Sequence, residues 1–279
     1  MESGAARIGC QGWNYADWVT PAAAAAHVFY PHGTRAADML AVYARAFDTV
    51  EVDSTFYAVP APGTVDLWAR RTPEQFTFAL KLPQAITHEH ALRPGCAQTL
   101  REFCAVARRL GDKLAAVLVQ LPPQFDATDV NVAALADFLP RLPRELRFAV
   151  EFRHGSWAQE EFAALLAAHG VSVALVEGPW LARRALWQMF AAHPAPFAYV
   201  RFMGARDLTR FDAVARPRAE NLELWREALA RLRARGTQTY AYFSNYYEGH
   251  APASARALQQ LLNQPVVAPE ELARQPPLF

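Results

Sequence analysis

TVEVDSTFY (residues 49–57) has the β-branched and aromatic content of a strand, yet it carries Glu51 and Asp53 two positions apart. Side chains two apart in a strand leave from the same face, roughly 7 Å from each other. Val50 and Val52 then form an apolar face and the two carboxylates an acidic one. A strand of a closed parallel barrel accommodates both faces: the valines turn toward covering helices, and the acids turn toward the axis near an open end, where they are hydrated or paired rather than isolated.

The rest of the chain repeats this kind of segment. RIGCQGW (7–13), FTFALKLP (76–83), AAVLVQLPP (115–123), RFAVEFRH (147–154), VSVALVE (171–177), FAYVRFMG (197–204) and TYAYFSNY (239–246) also read as strands, which makes eight with 49–57. Helix-period segments lie between them. Met39, Val42, Tyr43, Ala46 and Phe47 follow the i, i+3, i+4, i+7, i+8 pattern, with Thr34 as the expected N-cap. Phe103, Cys104 and Ala107 repeat it, with Gly111 as the expected C-cap. Ser156 and Gln159 have capping-box spacing before a helix ended by Gly170. Leu222, Trp225, Leu229 and Leu232 form one stripe that stops at Gly236.

Strand then helix, repeated, signals a parallel sheet. Eight units in 279 residues match a closed (β/α)8 TIM-barrel-like fold, which typically takes about 250 residues. An open doubly wound sheet is the lesser alternative, because GCQGWNY (9–15) is no GxGxxG turn. The expectation is one domain over 1–279, with a core over about 7–263 and a tail over 264–279 that either straps the outside or is partly mobile.

Composition narrows the function. The formal net charge is +1, so no global field draws a polyanion; nucleic acid is a disfavoured partner, and a small-molecule ligand is expected instead. MESGAARIGC has no basic segment leading into an apolar run, and no stretch approaches a membrane span, so no membrane partner is expected. Cys10, Cys96 and Cys104 form neither a CxxC pair nor an even framework, which points to a reducing, cytoplasmic location. No cofactor is indicated, and oligomeric state is not legible.

The polar residues fall at the ends of strands. Glu51 and Asp53 end the second, Lys81 the third, Gln120 the fourth, Glu151 and Arg153 the fifth, Glu177 the sixth, Arg201 the seventh and Asn245 the eighth. In a closed parallel barrel these ends meet at the C-terminal mouth, where active sites of this architecture are built. Lys81 stands out because it and Lys113 are the only lysines among 28 cationic residues. A half-buried ammonium shifts its pKa readily and serves as a base or Schiff-base nucleophile, which arginine does not. The bland alternative is an ion pair with Glu51 or Glu151.

Lys81, Glu51 and Glu151 are therefore the candidate catalytic groups, by acid–base chemistry. The candidate substrate-binding groups are Trp13, Tyr15, Asp53, Tyr57, His88, Gln120, Arg153, Trp157, Glu177, Arg201 and Asn245. Trp13 and Trp157 would wall the ligand by stacking. His88 and His90, with His154, suggest a metal pair, but no placed carboxylate completes a ligand set, so no metal site is assigned.

GCQGWNYADW (9–18), VFYP (28–31), FDTVEVDSTFYAVP (47–60), FTFALKLPQAITH (76–88), LVQLPPQF (118–125), RFAVEFRHGSW (147–157), YVRFMG (199–204) and YFSNYYEGHAPASARAL (242–258) resemble, in order and spacing, the signature segments of domain-of-unknown-function family 72, the YecE-like family. The resemblance covers about residues 7–263 and implies a TIM-barrel-like fold with a polar pocket at its mouth; it implies no particular reaction. Three positions depart from the family pattern. Met203 stands where a histidine is usual, Glu177 where an aspartate is usual, and Ser244 in place of the first of two asparagines. The function expected is a hydrolase, lyase or isomerase acting on a small polar, sugar-like or anionic molecule. The alternatives are a non-catalytic barrel binding a metabolite or nucleic-acid fragment and, more weakly, a metal-assisted hydrolase.

Overall fold

The computed structural model describes residues 6–274. Eight parallel strands close into a barrel in sequence order: β1 (Ala6–Gln11), β2 (Thr49–Val52), β3 (Thr77–Lys81), β4 (Leu114–Gln120), β5 (Phe148–Glu151), β6 (Ser172–Glu177), β7 (Phe197–Phe202) and β8 (Gln238–Phe243), with β8 paired to β1. The helices between them are α1 (Met39–Ala46), α2 (Pro62–Arg70), α3 (Ala97–Ala107), α4 (Asp129–Phe138), α5 (Glu160–Ala168), α6 (Arg183–Ala192) and α7 (Ala219–Ala234); α8 (Asn245–Glu248), α9 (Ala251–Leu261) and α10 (Pro269–Arg274) follow β8. The TIM-barrel-like fold read from the sequence is the fold observed.

Burial on both faces explains the strand composition. All seven residues of β4, LAAVLVQ, are buried, as parallel strands covered by helices require. Inside the barrel Thr49 shares a 2.9 Å hydrogen bond with the Tyr242 hydroxyl and accepts one from Thr77 Oγ1 at 3.0 Å, while the Tyr199 and Tyr242 rings pack 5.3 Å apart. These bonded hydroxyls satisfy the interior below the mouth, which Glu51, Glu151 and Arg201 then occupy.

Local boundaries differ from the sequence reading at several points. Every strand except the sixth ends earlier than expected, because the residues beyond it turn into the connections that follow rather than extend the sheet. The clearest case is β2, which stops at Val52; Asp53 is already αR, and Ser54–Phe56 form a 3-10 turn. The pleat that put Glu51 and Asp53 on one face therefore ends between them. Thr34 does not cap α1: its hydroxyl donates to the Pro31 carbonyl at 2.8 Å in a turn, and Asp38 precedes the first helical residue. Ser156 lies in a separate 3-10 turn, and the Gln159 amide donates back to the Ser156 carbonyl at 2.9 Å instead of completing a capping box. Gly111 sits inside a 3-10 segment, Arg108–Lys113, that extends α3. Gly170 and Gly236 do end their helices, with φ of +69° and +71° that a side chain would strain.

After α9 the chain returns beneath the barrel. The Gln264 amide donates to the Ala6 carbonyl at 2.8 Å, and Arg45 of α1 donates to the Leu272 carbonyl at 3.0 Å beside a buried Leu272 side chain. Residues 264–274 therefore make these contacts with β1 and α1; the expectations for MESGA and QPPLF lie outside the described residues. Among the described residues no helix is long and apolar enough to cross a membrane.

Candidate functional site

The floor of the mouth is a buried ionic network drawn from four strands. Arg201 of β7, 1% exposed, donates from Nε and Nη2 to the two oxygens of Glu51 at 2.9 and 2.6 Å, and from Nη1 to Glu151. Tyr199 donates to Glu51 at 2.7 Å. Arg153 donates from Nε to Glu151 at 2.5 Å and from Nη2 to the Gln120 side-chain oxygen at 2.8 Å. Two carboxylates and two guanidinium groups cancel, so the desolvated charges are matched. Burial would raise the Glu151 pKa, but the charges of Arg153 and Arg201 outweigh it and hold the carboxyl at about 2. The same two acids lift Arg201 above its ordinary value against the effect of burial.

Above this floor lies a cavity of about 200 Å³. Its wall includes Gln11 and Tyr15 from β1 and its loop, Asp53, Phe56 and Tyr57 after β2, Lys81, Gln120, Arg201 and Met203, then Arg206 and Phe211 from the loop after β7, and Ser244, Asn245 and Tyr246 at the start of α8. Larger grooves of about 380 Å³ beside α6 and α7 and about 630 Å³ near the opposite end of the barrel lie away from these groups.

Lys81 is 6% exposed and has no ion-pair partner within 4.0 Å among the described residues. Its Nζ stands 3.6 Å from the centroid of the Phe56 ring. The Thr55 hydroxyl fixes this placement: it accepts from the Lys81 N–H at 3.0 Å and donates to the Lys81 carbonyl at 2.7 Å, clipping the 3-10 turn to the end of β3. Burial, then the Arg201 charge, lowers the Lys81 pKa from 10.5 to about 8. Asp53 moves the other way, to about 6, through burial and then the neighbouring Glu51. A lysine pushed down and an aspartate pushed up, on one cavity, are a matched pair for proton transfer near neutrality. The ion pair weighed for Lys81, with Glu51 or Glu151, is not formed, because Arg201 and Arg153 hold those two acids.

Several expected site residues lie elsewhere. Trp157 is fully buried, stacked between Phe125 and Phe152 with its N–H donated to the Phe125 carbonyl at 2.6 Å, so it is packing and not a ligand wall. Trp13 packs edge-on against Trp68 of α2, 5.8 Å between rings, away from the cavity wall. Glu177, one step out of register with the inward residues of β6, points to the helices and accepts from Arg183, Asn221 and Trp225. His88 sits behind Phe56, rings 5.0 Å apart, with Nδ1 bonded to Thr87 Oγ1; burial, then Lys81 and Arg153, depresses its pKa to about 4, so the imidazole is neutral at pH 7. Arg153 does not line the cavity; its guanidinium stacks 3.8 Å from Trp180. Asp53, Tyr15, Tyr57, Gln120, Arg201, Asn245 and Lys81 are brought together.

The sequence reading missed Gln11, Tyr199, Arg206, Phe211 and Trp180. Gln11 and Tyr199 sit at inward alternate positions that mark them in retrospect; the loop residues carry no such periodic signal. Met203, on the cavity wall, accepts a hydrogen bond from Gln11 Nε2 at 3.0 Å, and neither of these two side chains titrates. Asn245 accepts from Trp18 Nε1 at 3.1 Å and the Ala251 N–H at 3.0 Å, leaving Nδ2 without a partner among the described residues. Among the described residues no three His, Cys, Asp or Glu side chains converge as metal ligands.

A closed parallel (β/α)8 barrel whose ionisable side chains gather at the C-terminal ends of its strands is the class of protein this fold and site define. The chain belongs to the family described as Protein of unknown function DUF72, matched over residues 7–277. It is 38% identical to the UPF0759 protein YecE of Escherichia coli K12 over 112 residues, which is 40% of each chain, so that match spans less than half of the relative's length. It is 26% identical over 277 residues to the UPF0759 protein YunF of Bacillus subtilis, covering 92% of this chain and 94% of that one. The crystal structure of a DUF72 family protein from Thermotoga maritima is 26% identical, with a TM-score of 0.73, and covers 93% of this chain and 99% of that chain.

Proposed function

We propose that this protein is a cytoplasmic enzyme that moves protons on a small polar, anionic molecule held at the mouth of the barrel. One observation carries the reading: Lys81, otherwise buried, presents an amine without a carboxylate partner to a cavity that Asp53 shares. In this reading Lys81 takes or gives the substrate proton and Asp53 relays it. Arg206, Gln120 and the free amide N–H of Asn245 hold the ligand's oxygens, and Tyr15 and Tyr57 close over it.

Glu51 and Glu151 act through Arg201. All four of their oxygens accept from Arg201, Arg153 or Tyr199, which supports a positioning role rather than direct proton transfer. Three buried free cysteines agree with a reducing compartment.

The test is solvent exchange. The protein in D2O is incubated with a panel of hydroxy, oxo and amino acids and sugar phosphates, and deuterium uptake and product formation are followed by NMR. Wild type exchanges or converts at least one compound, and Lys81→Met slows it by about 10²–10⁴-fold, the usual share of a general acid or base. If compounds bind but none exchanges or turns over, the non-catalytic binding reading replaces this one. An unchanged rate in Lys81→Met removes Lys81 from the chemistry.

A further inference from the structure

We infer that Lys81 is an imine-forming nucleophile and that its partner is a small carbonyl compound bearing a carboxylate, a 2-oxo acid. The inference rests on the proton-transfer reading and names its substrate class.

The site's dimensions point to a molecule of few heavy atoms. A cavity of about 200 Å³ lies below the ~300–1,000 Å³ of pockets for drug-sized ligands. Its unpaired charges point to an anion. Glu51, Glu151, Arg153 and Arg201 neutralise one another, which leaves Lys81 and Arg206 against Asp53. Arg206 is exposed at the rim and has no ion-pair partner among the described residues, so its guanidinium is open to a ligand carboxylate.

Lys81 is built as an amine rather than as a counter-ion. A lysine kept only for its charge would sit on a carboxylate; this one stands on the Phe56 face, with Glu51 and Glu151 engaged by Arg201 and Arg153 and no ion pair to Asp53 within 4.0 Å. Its lowered pKa, about 8 against the ordinary 10.5, agrees with that geometry and gives roughly 300-fold more free amine at neutral pH.

The step balances without a redox partner. The Lys81 lone pair attacks the carbonyl carbon, a C–N bond forms, and the π electrons move to oxygen, which takes a proton from Asp53. Asp53 recovers a proton from nitrogen and returns it to the hydroxyl. The C–O bond then breaks, water leaves, and the nitrogen lone pair closes the C=N bond. The carbon next to that imine becomes acidic, which supplies the proton that the proposed chemistry moves.

The chain contains its own control, because it has one other lysine. Lys113 donates to the Ala69 carbonyl at 2.6 Å and to the Thr72 carbonyl at 2.8 Å, outside the mouth. The intact protein is incubated with pyruvate or glyoxylate and cyanoborohydride, and adducts are mapped by peptide mass spectrometry. The expected adduct is pyruvic acid less water plus two hydrogens, on Lys81 and not on Lys113. It is absent in Lys81→Arg, which keeps the charge and whose folding is checked by circular dichroism. Arg206→Ala lowers pyruvate trapping at a subsaturating concentration about tenfold, and more than it lowers acetaldehyde trapping.

No adduct on Lys81, or equal labelling of Lys113, overturns the imine. If Lys81→Met still abolishes deuterium exchange in that case, proton transfer by a free amine stands without it; if exchange is also indifferent to Lys81, both readings fall.

Discussion

Lys81 shows what a single residue of this barrel costs and what it offers. Its pKa in the folded chain is about 8, below the 10.5 of the unfolded chain. Below pH 8 both states are protonated, so the folded state carries the full cost of desolvating the ammonium. Between pH 8 and 10.5 the native amine is already neutral while the unfolded one is not, and the cost is progressively lost. Lys81→Met should therefore raise the unfolding free energy at pH 7 by on the order of 3 kcal/mol, and the gain should shrink toward zero by pH 10.5. Urea melts of the two proteins across that range measure it; a variant no more stable at pH 7 would mean the ammonium is not strained at all. A residue that destabilises the fold and is nevertheless placed in a cavity by a threonine clip is what the proposed chemistry requires. The type and sequence position of Lys81 were legible. Its freedom from an ion pair was not, since that depended on Arg201 and Arg153 reaching Glu51 and Glu151 first.

At the scale of elements, the strands and the connections between them behave differently. Strand interiors were readable because parallel strands buried on both faces are nearly continuous apolar runs, as in β4. The strand ends were not, because the residues that follow, such as Asp53 or Ser244, leave the pleat to make turns whose geometry the neighbouring strands impose. The same ambiguity misplaced Trp157 and Glu177: both lie near strand ends, but their side chains face the helix layer. Gly204, just past β7, shows how closely these connections are fitted. A Cβ there would lie 1.7 Å from the Tyr246 carbonyl oxygen of α8. Gly204→Ala should cost about 1–3 kcal/mol in stability by forcing α8 outward. Because α8 carries Asn245 and Tyr246 into the cavity, the same variant should also weaken small-anion binding, as calorimetry on the folded protein would register. Unchanged stability and binding would mean that α8 has room to move.

For the whole molecule, charge decides which partners the barrel meets. With a formal net charge of +1, and with Lys81 and Arg206 as the cations without an ion-pair partner among the described residues that line the cavity, a run of phosphate contacts that would drive salt-dependent association is not expected. Fluorescence anisotropy with a labelled single-stranded oligonucleotide should stay flat from high to low salt. Affinity that climbs as salt is lowered would restore the nucleic-acid-fragment alternative. On the proposed reading the cavity takes a small ligand whose charge is matched by one or two cations.

The sequence by itself determined the barrel and the mouth as the place where ionisable residues collect, because apolar periodicity and the alternation of strand and helix are local properties of the chain; its motif segments, by resemblance, pointed to the family. Only the tertiary structure decided which of those residues face one another. Arg201 meets Glu51 across 150 positions of sequence, and whether a carboxylate is a reactant or a brace depends on which guanidinium arrives beside it when the barrel closes.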